Sequence, residues 1–227
     1  MTGMFSSCGY TAMKSLDLGS NFDTSKVTDM TSMFQECGYT AMTSLDLGDK
    51  FDTSSVTNMR NMFLETGYTA MTSLDLGDKF DTSNVTDMAD MFKWIPLERL
   101  NLGDKFNTAK VTDMQNMFRG LGSNQMSVLD LGDKFYTTSV EKMNGMFSYI
   151  STDELDLGPA FTKIASSNTD MFATISRATT IYASEQIYLD KNNFKLNTDA
   201  ESSAINYTRG TINPKYRTEW VKESSAI

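Results

Sequence analysis

The sequence predicts an α/β solenoid, right-handed, in which short parallel strands and short helices repeat every 26–29 residues. A strand-like tripeptide recurs six times, at spacings of 29, 29, 26, 29 and 26 residues. In the first five units a valine follows the first leucine after 11 residues, and a phenylalanine follows that valine after 7. One coil of this size cannot bury its own apolar face, so successive coils must stack. The tripeptides begin at Leu16, Leu45, Leu74, Leu100, Leu129 and Leu155.

Each tripeptide is predicted to be a strand, because alternate side chains of a strand point to opposite faces. In Leu45-Asp46-Leu47 both leucines then face the core and the aspartate faces outward. A glycine such as Gly48 follows, and it can adopt the positive φ of a sharp turn. The Asp-Thr-Ser sequences come next, and they predict helix N-caps and turn formers at Asp23, Asp52 and Asp81.

A short helix is predicted after this turn. Val27, Met30 and Phe34 lie at i, i+3 and i+7, which is one face of about two helical turns. The phenylalanines fall at the same place in every unit, so we expect them to form the spine of the core and not a cofactor pocket. Their two columns are Phe5, Phe34, Phe63, Phe92, Phe118, Phe147, Phe172, and Phe22, Phe51, Phe80, Phe106, Phe135, Phe161.

The repeat divides the chain into two parts. A leucine-rich-repeat-like solenoid of about six to seven coils is predicted over residues 1–183, and a C-terminal cap or extension over residues 184–227, where the pattern stops. The segment "MTGMF" at the start aligns with "MTSMF" at 30–34. We therefore expect the solenoid to continue upstream in a longer protein, with a signal and an anchor outside this fragment.

The composition argues against several functions. Acidic residues outnumber basic ones 29 to 20, for a net charge of −9, and an acidic surface repels nucleic acid. The sequence contains no run of about 18 apolar residues, so we expect no membrane insertion of this fragment. The chain contains no histidine, the usual acid–base group near neutral pH and a common metal ligand. We expect no enzyme activity, no cofactor and no metal site; a glycosidase would need two carboxylates in different environments, and nothing distinguishes one strand aspartate from the next.

The outward residue of each strand is the best candidate for ligand contact. If the strands stack in register, these residues lie roughly 5 Å apart, and each neighbouring pair of carboxylates then costs about 0.8 kcal/mol at water-like screening. Hydroxyls, cross-coil lysines such as Lys79 and Lys134, cations or a basic partner could offset that repulsion. The hypothesis is that this column contacts a cationic or polyhydroxylated ligand. Its members are Asp17, Asp46, Asp75, Asn101, Asp130 and Asp156.

Exposed aromatic residues would favour a binding module over a spacer. Trp94 stands alone at its position in the repeat, and it is interpreted either as a ligand anchor or as a filler for the shorter connection around it. Tyr10, Tyr39 and Tyr68 recur at one position of the longer connections. We expect these tyrosines to pack against each other.

Cys8 and Cys37 occupy the same position in consecutive units, 29 residues apart. Stacked coils would bring their Cα atoms close enough for a disulfide. Two buried free thiols remain the alternative, since Thr66 takes this position in the next unit.

The motif F-D-T-S-x-V-T-x-M-x-x-M-F resembles the BspA-type leucine-rich-repeat domains of bacterial surface proteins, over roughly residues 1–183. The resemblance implies an extracellular, cell-attached protein that takes part in adhesion to a host or neighbouring-cell surface protein or glycan. Two alternatives remain open: a structural spacer or stalk that presents another domain, and a receptor-binding part of a phage.

Overall fold

The computed structural model describes residues 1–123, 126–175, 180–184 and 187, together with residues 207–213 and 217–222. The chain forms a parallel β-solenoid of about six turns, and each turn brings one short strand beside the previous one. The strands are β1 (Ser15–Asp17), β2 (Ser44–Asp46), β3 (Ser73–Asp75), β4 (Arg99–Asn101), β5 (Met126–Asp130), β6 (Thr152–Asp156), β7 (Thr180–Ser184), β8 (Tyr207–Asn213) and β9 (Arg217–Lys222).

The prediction of short helices is wrong, and the α/β class is therefore wrong too. The described residues contain strands and turns only. The segment after each valine is a ribbon of tight turns, which we call the turn ribbon, as at residues 30–37. Its N–H groups alternate between two kinds of partner. Phe34 donates to the Met62 carbonyl of the next coil at 2.9 Å, whereas Met33 donates to Met30 in its own coil at 3.1 Å. A helix would send every N–H to the residue four positions back.

The backbone dihedrals of the turn ribbon also exclude a helix. Ser32 and Glu36 have φ near +56° and +55°, and their equivalents in the next coil, Asn61 and Glu65, have +57° and +56°. A left-handed residue at every fourth position reverses the chain before a right-handed helix can form. The 3–4 residue spacing nevertheless marks the buried face correctly, because a succession of such turns returns to one side at nearly the helical period.

The core is a set of parallel side-chain columns. Phe34, Phe63 and Phe92 are inaccessible to solvent, and their rings stack at centroid distances of 5.5 and 5.7 Å. The second phenylalanine column packs beside the first, with Phe51 6.1 Å from Phe34 and tilted by 39°. The prediction of a phenylalanine spine is therefore confirmed, and the columns tie every coil to both neighbours.

The Asp-Thr-Ser sequences form turns and a buried hydroxyl column. Asp52 Oδ1 accepts the N–H of Ser54 at 2.8 Å, so the turn-forming role is correct, although there is no helix to cap. The threonine points inward with no exposed surface, and Thr53 Oγ1 donates to the Asp81 carbonyl of the next coil at 2.9 Å. Buried hydroxyls need such partners. Thr24, Thr53, Thr82 and Thr108 repeat this bond.

The two sides of the solenoid are hydrogen-bonded differently. On the side of the turn ribbon, single parallel bridges run without interruption from Asp29 through Asn58, Asp87, Asp113 and Lys142 to Ser167, a series we call the bridge line. On the strand side, β1 pairs with β2 and β3 with β4, and β5, β6 and β7 form one sheet with the last two strands. Neighbouring strands are thus not hydrogen-bonded between β2 and β3 or between β4 and β5.

The C-terminal end of this sheet is antiparallel. β9 pairs with β7, and β8 pairs with β9, so the order is β5-β6-β7-β9-β8. The two strands fall within the predicted cap or extension, 184–227, most of which lies outside the described residues. Its role as a cap stays a prediction.

Candidate functional site

The predicted contact residues lie where strand geometry places them, on the outer side of the strands. Leu45 and Leu74 are buried in β2 and β3, whereas Asp46 and Asp75 are exposed. We call the six residues the strand-face column. Five of them, Asp17, Asp46, Asp75, Asn101 and Asp130, are exposed, and Asp156 is half-buried.

Each member of the strand-face column also ends its strand with a turn. Asp46 Oδ1 accepts the N–H of Gly48 at 2.9 Å, and Asp130 Oδ1 accepts that of Gly132 at 2.8 Å. The same bond, at 2.7 to 3.1 Å, is made at all six positions. One oxygen of each side chain is therefore fixed by the backbone, and the exposed aspartates keep a second carboxylate oxygen that does not make this bond. Asn101 makes the same bond to Gly103, so the turn does not need the negative charge.

The column is arranged in register within the bonded strand groups. Asp17 lies opposite Asp46, Asp75 opposite Asn101, and Asp130 opposite Asp156. Asn101 Nδ2 donates to Asp75 Oδ1 at 3.1 Å, so one pair needs no compensating cation. The breaks between β2 and β3 and between β4 and β5 interrupt the column. The hydrogen-bonded register of the column therefore extends only over short groups of strands.

The lysines next to the column have other partners. Lys79 Nζ donates to the carbonyl of Asp49, and Lys134 Nζ donates to that of Asp104 at 2.8 Å. Both bonds join the loop that follows a strand to the loop of the preceding coil. These two lysines link the loops of neighbouring coils.

The break between β4 and β5 forms a cleft of about 690 Å³. Its walls are residues 100–104 of one coil and 130–134 of the next, with Phe106 at its base. Asn101 and Asp130 of the strand-face column therefore line opposite sides of the cleft. Because β4 and β5 do not bond to each other, backbone groups of both strands face this space.

Trp94 lies on another part of the surface, at the end of the turn ribbon. It is half-buried, with φ of +58°, and its ring centroid lies 5.9 Å from that of Tyr149, two coils away. Gly120 of the intervening coil lies beneath the indole ring, so close that a Cβ there would be 2.0 Å from Trp94 Cε3. The structure does not bring Trp94 into the strand-face column, because it lies in the turn ribbon and not on a strand.

The tyrosines of the long connections form an exposed stack. The rings of Tyr10 and Tyr39 are 4.7 Å apart, and those of Tyr39 and Tyr68 are 4.8 Å apart. The prediction that they pack against each other is confirmed. Burial raises the pKa of Tyr39, and the charges of Glu65 and Glu36 add to this effect. Tyr10 and Tyr68 at the two ends are 40% and 38% exposed, so the stack remains accessible.

The structure holds Cys8 and Cys37 as free thiols in adjacent coils. Cys37 has no exposed surface, and burial, with a further contribution from Cys8, raises the pKa of its thiol to about 12. Cys8 is half-buried. The disulfide suggested by the sequence stays a prediction for oxidising conditions.

Iodoacetamide at pH 8 is expected to alkylate Cys8 well before Cys37, because the thiolate is the reactive species and burial disfavours it at Cys37. Peptide mass spectrometry over time measures the two rates. The folded pKa of Cys37 exceeds the ordinary value of 9.0, so the stability that its protonated thiol contributes is complete below pH 9 and is lost as the pH rises towards 12.

A matched control for this prediction is Cys37→Thr, since Thr66 at the same position of the next coil donates to the Phe34 carbonyl at 2.7 Å. This variant should fold, and its alkylation should show only the fast rate, that of Cys8. Equal alkylation of both cysteines in the native protein would contradict the prediction. Absence of both thiols until a reductant is added would instead establish the disulfide.

A cluster of charges on the bridge line was missed by the sequence interpretation. Arg60 contacts the carboxylates of Asp87 at 3.0 Å, Asp113 at 3.4 Å and Asp90 at 4.0 Å, and Lys142 contacts Asp113 at 3.1 Å. Burial alone would raise the pKa of Asp113. Hydrogen bonds from Gln115 and Lys142 outweigh this effect, so the pKa lies below its usual value. An acidic residue or asparagine two positions after each of the first four valines, with Lys142 two positions after the fifth, is the signal that could have revealed this series.

The described part of the chain contains no group of three or more histidine, cysteine or carboxylate side chains placed to hold a metal ion. None of the described segments forms an apolar helix long enough to cross a membrane.

Comparison with known proteins identifies the repeat. A family model described as "Mycoplasma protein of unknown function, DUF285" matches residues 1–94 and residues 68–186. No curated protein and no solved structure matches the chain significantly. Since the two matches together cover most of the chain, including all six tripeptides and the buried phenylalanine columns, the protein belongs to this mycoplasma repeat family of unknown function.

Proposed function

We propose that the protein is an extracellular, cell-surface-attached interaction module of the BspA-like type, and that it binds a host or neighbouring-cell surface protein or glycan through its strand face without catalysing a reaction. The observation that carries the proposal is the cleft between β4 and β5. It lies on the same face as the strand-face column, and two members of the column, Asn101 and Asp130, line it.

The geometry suits recognition of hydroxyl or cationic groups. One oxygen of each column carboxylate is bonded to the glycine N–H of its own turn, so the side chain is already ordered before a ligand arrives. An ordered acceptor loses little conformational entropy on binding. The second oxygen can accept a hydrogen bond from a sugar hydroxyl or from a lysine or arginine of a partner.

The cleft adds backbone groups to these carboxylates. Leu100 and Asn101 lie on β4 and Asp130 lies on β5, two strands that do not bond to each other, and a ligand in the cleft can pair with those backbone N–H and C=O groups that face it. The volume of about 690 Å³ corresponds to a short peptide or a small oligosaccharide.

The same features favour binding over catalysis. The column residues make the same glycine bond at every position, and the exposed aspartates differ little in burial, whereas acid–base chemistry needs two groups in different environments. The chain also contains no histidine.

The proposal is tested with the triple variant Asp46→Asn/Asp75→Asn/Asp130→Asn on an array of glycans and extracellular host proteins. Asparagine keeps the turn, as Asn101 demonstrates, and removes three charges. The matched control is Asp23→Asn/Asp52→Asn/Asp81→Asn, which makes the same charge change at turn-forming aspartates outside the strand-face column.

A saturable ligand of the native protein that the strand-face variant loses, and the control retains, is the expected result. Equal loss in both variants would indicate a general charge effect and contradict a site on the strand face. No saturable ligand at all would leave the spacer as the function.

A further inference from the structure

Three side chains at the end of the turn ribbon form a second surface, which we call the aromatic platform: Trp94, Arg119 and Tyr149. The indole of Trp94 and the ring of Tyr149 are 5.9 Å apart and inclined by 39°. The guanidinium carbon of Arg119 lies over the Tyr149 ring at 5.1 Å from its centroid. Tyr149 is 44% exposed, and Trp94 and Arg119 are half-buried.

A glycine creates the room that the indole of the aromatic platform needs. Gly120 lies beneath the indole, and a Cβ there would be 2.0 Å from Trp94 Cε3. At the equivalent position of the preceding coil the chain carries Trp94 itself. Gly145 makes room for Asn116, since a Cβ there would be 2.5 Å from Asn116 Oδ1 but at an ordinary contact distance of 3.6 Å from Arg119 Nη1. Gly120 therefore allows the indole to lie across the next coil, and Gly145 leaves room for the asparagine that Arg119 contacts.

Arg119 has a positive charge without a carboxylate partner among the described residues. Arg60, Lys93 and Lys142 all form ion pairs there, whereas the only polar side-chain contact of Arg119 is Asn116 Oδ1, at 3.4 Å. The protein as a whole carries a net charge of −9. A guanidinium that lies over an aromatic ring of an acidic protein, with no carboxylate partner among the described residues, is placed to receive an anion.

We propose that the aromatic platform binds an acidic glycan, one whose sugar ring carries a carboxylate, with the ring packed on Trp94 and Tyr149 and the carboxylate on Arg119. The apolar C–H face of a pyranose fits a half-exposed aromatic ring, as large apolar surfaces of Trp and Tyr bury area at small entropic cost. The guanidinium fork matches a carboxylate with two parallel hydrogen bonds.

The surrounding charges select a sugar acid over an acidic peptide. Asp90 lies in the coil of Trp94 and holds the neighbouring Lys93 in an ion pair at 2.8 Å. Among the described residues of this surface, Arg119 therefore remains as the cation outside an ion pair, and a segment with several carboxylates would leave most of them without a cationic partner. A ring with one carboxylate and otherwise neutral hydroxyls needs only the one guanidinium.

This site does not depend on the strand face, and it names a ligand class that the proposed function leaves open. The experiment is titration calorimetry of the whole chain with short oligosaccharides that end in glucuronic acid or in N-acetylneuraminic acid, and with neutral oligosaccharides of equal length. The native protein is expected to bind the acidic probes more tightly than the neutral ones. Trp94 is one of two tryptophans, so a change in fluorescence that the Trp94→Phe variant reduces would report the stacking directly.

Arg119→Gln is the test variant, and Lys93→Gln is its control, because it removes one charge from the same surface but from an existing ion pair. Arg119→Gln should weaken binding of the acidic probes about tenfold or more and leave the neutral ones unchanged. Lys93→Gln should have little effect. Circular dichroism of both variants checks that they fold alike.

Three results would overturn the inference: no binding of either acidic probe at millimolar concentration, no preference over the neutral probes, or equal binding by the native protein and Arg119→Gln. The strand-face variant Asp46→Asn/Asp75→Asn/Asp130→Asn separates this site from the proposed function. If it loses the acidic probe while Arg119→Gln retains it, the ligand occupies the strand face, and only the inference about the aromatic platform fails.

Discussion

Replacing Phe92 by alanine is expected to lower the free energy of unfolding by about 3–5 kcal/mol. Phe92 has no exposed surface, and its ring stacks on Phe63 at 5.7 Å and on Phe118 at 5.6 Å. A coil of a solenoid contacts only its two neighbours, so the cavity weakens both interfaces of the coil at once. Urea unfolding followed by far-ultraviolet circular dichroism measures the loss.

Tyr68→Ala provides the control for Phe92→Ala. Tyr68 also stacks on a copy of itself, with its ring 4.8 Å from that of Tyr39, but it ends a surface stack and is 38% exposed. Its removal should cost less than about 1 kcal/mol. Equal losses for the two variants would mean that stacking alone, and not burial in the column, determines the stability of the coils.

Gly158→Ala is expected to destabilise the protein by about 2–5 kcal/mol, from a left-handed backbone strain of about 1–2 kcal/mol and an overpacking of about 1–3 kcal/mol. Gly158 has φ of +74°, and a Cβ there would be 2.1 Å from the Gly132 carbonyl oxygen. Because that atom belongs to the backbone, β5 and β6 would have to separate.

The chain supplies a matched control at Gly132, which follows β5 as Gly158 follows β6. Gly132 has a similar φ of +72°, but a Cβ there would meet no atom within 4 Å. Gly132→Ala should therefore show the strain alone, about 1–2 kcal/mol. The difference between the urea unfolding midpoints of Gly158→Ala and Gly132→Ala measures how much stability the contact between Gly158 and the Gly132 backbone costs when a Cβ is added. A Gly158→Ala loss no larger than that of Gly132→Ala would contradict the tight pairing of β5 and β6.

The sequence was sufficient for the coils, the strands and the buried columns, because each depends on a spacing that repeats. It misled at the turn ribbon. Ser32 and Asn61 adopt positive φ without being glycine, so the usual signal for a left-handed turn is absent. Their buried neighbours meanwhile recur at nearly the helical period, and the pattern of apolar residues alone does not distinguish the two backbones.

The candidate site was predictable in part. The outward position and the register of the column follow from strand alternation. The breaks do not, because the spacing is 29 residues both from β1 to β2, which bond, and from β2 to β3, which do not. The aromatic platform left a trace that was overlooked: Trp94, Gly120 and Tyr149 each stand two residues after a phenylalanine of the first column.

Each coil presents the same stacking surface to the coil before it and to the coil after it, and this affects how such a protein can change in length. Phe34, Phe63 and Phe92 each offer the same stacked surface upstream and downstream. Recombination between the copies that begin at Leu45 and Leu74 would remove 29 residues in frame. Phe34 would then meet a ring equivalent to the one it lost, so a shorter descendant inherits an intact core without any compensating mutation.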